Sequence, residues 1–185
     1  MNKIKKNLWL LILQVTITVV AVAQPYQKGT FSVSAGAEVL FAESKLSQSH
    51  KTGGGASIKG EYVFGNHTSA TLASGYYFMN AKNTGLLPQQ NIASIPLKGG
   101  VRYYFGNFYG SGEVGAIYFT DFAKGTSFVY SAGLGDKIAI NTRIFDIGLR
   151  HESWVKKGNT NSVIALRVGY EFSVNLKPVR NTKHF

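Results

Sequence analysis

The chain contains no cysteine, which excludes thiol catalysis, thiolate-held metals and a disulfide framework together. Proline is scarce as well, four in 185 residues. Beyond residue 24 no stretch repeats apolar residues at the three-to-four spacing of an amphipathic helix, so a helical domain is excluded too. Acidic charge is the third shortage: nine Asp and Glu stand against twenty Lys and Arg, a formal net charge of +11. What the chain has instead is 21 Gly, ten Tyr and twelve Phe in a composition that is 44% apolar. That is too hydrophobic for a disordered chain and suits strands joined by tight turns. The length fits one domain.

The first 23 residues read as a cleavable signal peptide. Lys3, Lys5 and Lys6 form a basic start, Leu8–Leu13 and Val15–Val22 an apolar run, and Ala21-Val22-Ala23 a small-residue cleavage site before Gln24. The run is broken by Gln14, Thr16 and Thr18 and is short for a transmembrane helix. With no cysteine after the cleavage site, a lipoprotein is excluded. Without its first three lysines, the exported chain keeps seventeen basic residues against nine acidic, a net +8.

From there, period-two alternation recurs eight times, over residues 30–42, 56–64, 68–79, 92–105, 108–120, 126–138, 144–153 and 162–172. Residues 30–42 set the pattern, with Phe31, Val33, Ala35, Ala37, Val39 and Phe41 opposite Ser32, Ser34, Gly36, Glu38 and Leu40. The connections alternate in length. Residues 43–55, 80–91, 121–125 and 154–161 are longer and polar, whereas 65–67, 106–107 and 139–143 are short. An all-β, eight-stranded antiparallel up-and-down transmembrane β-barrel over residues 24–173 follows, with long loops at one end, tight turns at the other and both termini in the periplasm. Residues 174–185 read as a basic periplasmic tail.

The two faces say which side meets lipid. The polar face carries Glu38, Lys59, Glu61, Lys98, Arg102, Glu113, Asp146, Arg150, Arg167 and Glu171, five charges of each sign, which can pair only if they point inward. The apolar face is sorted by height. Phe31, Phe64, Tyr103, Phe105, Phe108, Phe145, Tyr170 and Phe172 lie at the short-turn end, and Phe41, Tyr76, Phe78, Tyr118 and Phe128 at the other. Aliphatics such as Val33, Ile58, Leu72, Ile95, Leu97 and Leu149 fall between. Two aromatic girdles around an aliphatic band are what a bilayer selects, whereas a soluble core has no reason to sort by height.

On these residues the chain resembles the small outer-membrane β-barrel proteins of Gram-negative bacteria, the OmpA/OmpX-like superfamily. The resemblance spans roughly residues 30–173 and is carried by the eight-strand pattern, by Pro96–Phe105, and by the closing strand Ile164–Phe172, whose alternation ends in an aromatic. It implies an outer-membrane location, contact with membrane lipid and lipopolysaccharide, and insertion by the barrel assembly machinery that reads such a strand. It also implies a monomer with a closed, charge-filled lumen and a structural or surface-interaction role without catalysis. The match departs at the terminus, where thirteen residues follow Phe172.

No catalytic, cofactor or metal site is assigned. Gly110-Ser-Gly112-Glu-Val-Gly115 has dinucleotide-fingerprint spacing and Asp136 follows at a suitable distance, but Ala116–Thr120 alternates as a strand and opens no helix. Gly53–Gly55 lacks the Lys-Ser/Thr of a phosphate loop. His50, His67, His151 and His184 are scattered, and Asn66-His-Thr68 is a glycosylation sequon only by letter. The basic residues form no single strip, which argues against nucleic acid. Two alternatives stay open. One is a soluble periplasmic barrel that binds an apolar ligand. The other is a lipid A-modifying hydrolase, since an outer-membrane lipid A deacylase family carries a His-x-Ser pair on its seventh strand, as His151 and Ser153 would be here. Trp154 stands where that family has Asn, and the eighth strand offers no carboxylate at that height to orient the histidine.

Overall fold

The computed structural model describes residues 28–82, 90–121 and 124–174. The segment read from sequence as a signal peptide, residues 1–23, and the tail from residue 175 onward lie outside them. Eight strands close on themselves in sequence order: β1 (Phe31–Glu43), β2 (His50–Val63), β3 (Thr68–Ala81), β4 (Ile92–Phe105), β5 (Phe108–Phe119), β6 (Gly125–Ile140), β7 (Arg143–Lys156) and β8 (Asn159–Val174). Every neighbouring pair is antiparallel, and β1 closes on β8 from Phe31 opposite Val174 to Glu43 opposite Ser162. Strands of 12 to 16 residues exceed the nine to eleven that span a bilayer, so they project beyond it. A short helix, α1 (Ser44–Ser49), joins β1 to β2.

The alternation sorts outside from inside. Leu72 is 62% exposed, and Ile58, Leu97, Val114, Leu134 and Leu149 are exposed around the same belt. Phe41, Tyr76, Phe78, Tyr118 and Phe128 rim this belt at one end, and Phe64, Tyr103, Phe105, Phe108 and Phe172 at the other. The residues between them in sequence are buried inside. No soluble protein turns so much aliphatic surface outward, and the only solvent that suits it is lipid.

The structure corrects two boundaries. Residues 50–55, read from sequence as loop, begin β2, because Gly53 and Gly55 let the strand lie against Met79 and Tyr77 of β3; a Cβ on Gly55 would fall 2.5 Å from the Tyr76 carbonyl. Residues 154–161, read as a long loop, are two strand ends joined by a two-residue turn. Lys157 and Gly158 both have positive φ, 48° and 80°, which is the requirement of the hairpin turn whose twist matches the flanking strands. The connections 44–49, 82–91 and 120–124 keep the expected asymmetry against the turns at 64–67, 106–107 and 141–142.

Candidate functional site: the lumen and its outer mouth

Six acidic and six basic side chains form one connected chain inside the barrel. From the short-turn end it runs from Glu171 to Lys137 (2.5 Å), to Glu61 (2.9 Å), to Arg102 (2.9 Å) and to Asp146 (2.9 Å). Arg167 carries it from Asp146 (3.2 Å) to Glu38 (3.8 Å), and Arg150 from Glu38 (2.6 Å) to Glu152 (3.0 Å). Lys98 joins Glu152 (2.6 Å) to Glu113 (3.1 Å), and Lys59 ends the run at Glu113 (2.6 Å). All twelve are buried. Burying a charge is costly unless it is paired and its remaining hydrogen-bonding capacity is met. Here Ser69 and Tyr104 donate to Glu61, Tyr109 donates to Asp146 at 2.5 Å, and Ser34 and Ser57 accept from Arg167. The Arg102 guanidinium lies 4.1 Å from the centre of the Tyr109 ring. Gly135 makes the room for that tyrosine: a Cβ there would meet its phenol at 2.3 Å.

Ten of these twelve are the charges expected inside from sequence. Lys137 and Glu152 are additions, and parity could have found both. Each lies two residues further along its strand from a residue on the polar parity, Gly135 and Arg150.

Towards the end that carries α1 the interior changes character. Leu40, Tyr77, Met79, Ile117, Phe119, Val129, Trp154, Val163 and Ala165 pack into an apolar plug, joined by Leu46 of α1. The helix is held over the mouth by hydrogen bonds from the Lys82 backbone amide to the Ser49 carbonyl (2.8 Å) and from the Lys82 ammonium to the Ser47 carbonyl. The Trp154 indole N–H donates to Glu152 at 2.8 Å and so joins plug to network.

The equal charges of the lumen cancel, so the chain's surplus of positive charge lies outside it. At the end that carries α1, Lys51, Lys82, Lys124, Lys156 and Lys157 outnumber Glu43 and Asp121.

His151 and Ser153 share the outer parity near this end, but they are not alike. The His151 ring is half exposed, whereas Ser153 is 2% exposed, and its hydroxyl lies 3.0 Å from that of Ser162. A carboxylate does reach His151, although β8 offers none at that height. Glu43 lies 3.0 Å from the imidazole Nε2, and it comes from β1, across β8, not from β8 itself. The Gly110–Gly115 motif lies within β5 and Asp136 in β6, and of its glycines Gly115 serves strand packing: a Cβ there would fall 2.0 Å from the Leu97 carbonyl.

An inside-out, eight-stranded antiparallel barrel with a charged lumen is the architecture of the small outer-membrane barrels. Solved structures of that class share the fold. Ail, the attachment invasion locus protein of Yersinia pestis, crystallised with the heparin analogue sucrose octasulfate, superposes with a TM-score of 0.54 at 19% identity, covering 79% of this chain and 100% of that one. Ail in a phospholipid bilayer nanodisc gives a TM-score of 0.55 at 19% identity over 78% of this chain and 100% of that one. Neisserial surface protein A gives 0.53 at 18% identity over 78% and 96%. No family model matches the chain, and no curated protein matches it in sequence. At these identities the likeness is one of fold; together with the aromatic-rimmed apolar exterior, it makes the chain an integral β-barrel of the outer membrane.

Proposed function

We propose that this barrel is a non-catalytic structural or surface-interaction protein of the outer membrane, monomeric, with a lumen closed to solutes. The observation that carries the proposal is the filled interior beneath a cationic outer rim. Ion pairs and an apolar plug leave the lumen no task in transport, while the surplus lysines sit where lipopolysaccharide phosphates and extracellular partners are met. Ail, seen with a sulfated heparin analogue, is a barrel of the same architecture beside an anion. Insertion by the barrel assembly machinery through the closing strand belongs to the same reading. The test is binding of purified lipopolysaccharide to the barrel in nanodiscs. Lys51→Gln with Lys124→Gln should weaken it, and raising salt should weaken it further, because exposed charges are screened within a Debye length of about 10 Å at 0.1 M. Binding indifferent to both changes would overturn the surface role.

A second reading, lipid A hydrolysis, has one observation in its favour, the Glu43–His151 contact. Against it, the Ser153 hydroxyl is buried against Ser162. Mass spectrometry of lipid A from cells with the protein, without it, and with Ser153→Ala separates the two readings. Identical lipid A in all three sustains the non-catalytic one, and an acyl chain lost only with the native protein establishes the hydrolase.

A further inference from the structure

At the top of the plug, partly walled by its own residues, the outer mouth holds a cavity of about 310 Å³. Its walls are built from the last inward-facing residues of the strands. Phe119 ends β5, Trp154 lies near the end of β7, and Ile92 begins β4, with Asn161 of β8 beside them. Phe119 and Trp154 meet edge to face with ring centres 5.7 Å apart. Ile117 and Val129, both fully buried, close the interior beneath. At the rim stand Lys156 and Lys157. Their backbone is held by the tight turn at Lys157–Gly158, and the Lys156 ammonium lies 3.4 Å from the Lys124 carbonyl, so it leans over the start of the neighbouring β6. Asp121 is the one acidic residue of the adjoining β5–β6 connection.

Two chemistries meet in this space. Apolar and aromatic walls favour a body that sheds its water, and ring pairs add to what area burial alone supplies. Ammonium groups at the entrance favour an anionic head that stays partly in water. A strongly hydrated inorganic anion gains nothing from the walls, and a neutral ring gains nothing from the rim. The volume sits at the small end of ligand pockets, which run from roughly 300 to 1,000 Å³, so it suits one small ring system and not a macromolecule.

We propose that the outer mouth is a binding site for a small aromatic anion, an arylcarboxylate or arylsulfonate, its rings seated against Phe119 and Trp154 and its acid group held by Lys156 and Lys157. The site needs only the barrel and does not depend on the surface role proposed above.

Equilibrium dialysis of the full barrel in nanodiscs, with empty nanodiscs subtracted, tests this. The probes are naphthalene-2-sulfonate, its neutral counterpart 2-naphthylmethanol, and inorganic phosphate. The sulfonate should bind saturably at one site per barrel, the alcohol about tenfold more weakly or worse, and phosphate should not compete. Lys156→Gln with Lys157→Gln should lower sulfonate affinity about tenfold and leave the alcohol unchanged, whereas Phe119→Ala should weaken both. Unaltered migration of unboiled protein on gels certifies that each variant is folded. If Phe119→Ala does not fold, the lysine pair carries the test alone. Equal affinity for sulfonate and alcohol, competition by phosphate, no effect of the lysine changes, or no saturable binding would each overturn the proposal.

Discussion

Arg102→Ala is the perturbation that examines the lumen most directly. Arg102 is 2% exposed and binds two carboxylates at once, Glu61 and Asp146, each at 2.9 Å, while its guanidinium covers the Tyr109 ring. Removing one side of a buried pair costs about 3–5 kcal/mol, because the partner charge stays buried without its counterion. Here neither carboxylate is abandoned. Glu61 keeps Lys137 at 2.9 Å and Ser69 at 2.5 Å, and Asp146 keeps Arg167 at 3.2 Å and Tyr109 at 2.5 Å. The loss should therefore fall at the low end, about 3 kcal/mol, or roughly two orders of magnitude in the folding equilibrium. Reversible guanidinium unfolding in phospholipid vesicles, followed by circular dichroism, measures it. Lys51→Ala, an exposed cation, should stay within about 0.5 kcal/mol and serves as the reference. A loss below about 1 kcal/mol for Arg102→Ala would refute the reasoning, since only water entering to solvate both carboxylates could make the change so mild.

Three further outcomes are expected. Gly115→Ala should destabilise the barrel by about 1–3 kcal/mol, because its Cβ would fall 2.0 Å from the Leu97 carbonyl; Gly112→Ala, with nothing within 4 Å, should be close to neutral in the same unfolding assay. Leu72→Arg, on the lipid-facing belt, should cost about 2–4 kcal/mol in vesicles if that position lies near the bilayer midplane, and equilibrium folding titrations read this directly. Planar-bilayer recordings of the native barrel should show no steady conductance, and stable channels would contradict a lumen filled by side chains.

Most of the barrel is legible in the sequence because its two solvents differ. Lipid outside and charge inside make every strand middle alternate, as in Glu38 between Ala37 and Val39, or Arg102 between Val101 and Tyr103. Legibility fails where that contrast fades. In the plug, inward positions such as Leu40, Ile117, Val129 and Val163 are as apolar as their outward neighbours, so parity gives no sign of which side faces the interior. Trp154 shows the consequence: beside Val155 and the lysines it reads as the start of a loop, yet it is a buried strand residue bonded to Glu152. The Glu43–His151 contact was hidden for a different reason, since it spans two strand pairings and needs the register of β7, β8 and β1 together.

That register also explains what the lumen charges do for the fold. Several of the ion pairs do not link sheet neighbours. Lys59 of β2 reaches Glu113 of β5, Lys98 and Arg102 of β4 reach Glu152 and Asp146 of β7, and Lys137 of β6 reaches Glu61 of β2. Such contacts cross the interior, so none can form within a hairpin or an open sheet. They also fit one barrel size. An added pair of strands widens a barrel, and contacts of 2.6 to 2.9 Å across the axis would open to distances at which each charge stays buried without its partner. A slip of one residue in any pairing would turn these charges into lipid. The ladder and the apolar belt stabilise a sheet in a membrane; the crossed network makes the eight-stranded closure in this register the arrangement that meets every charge.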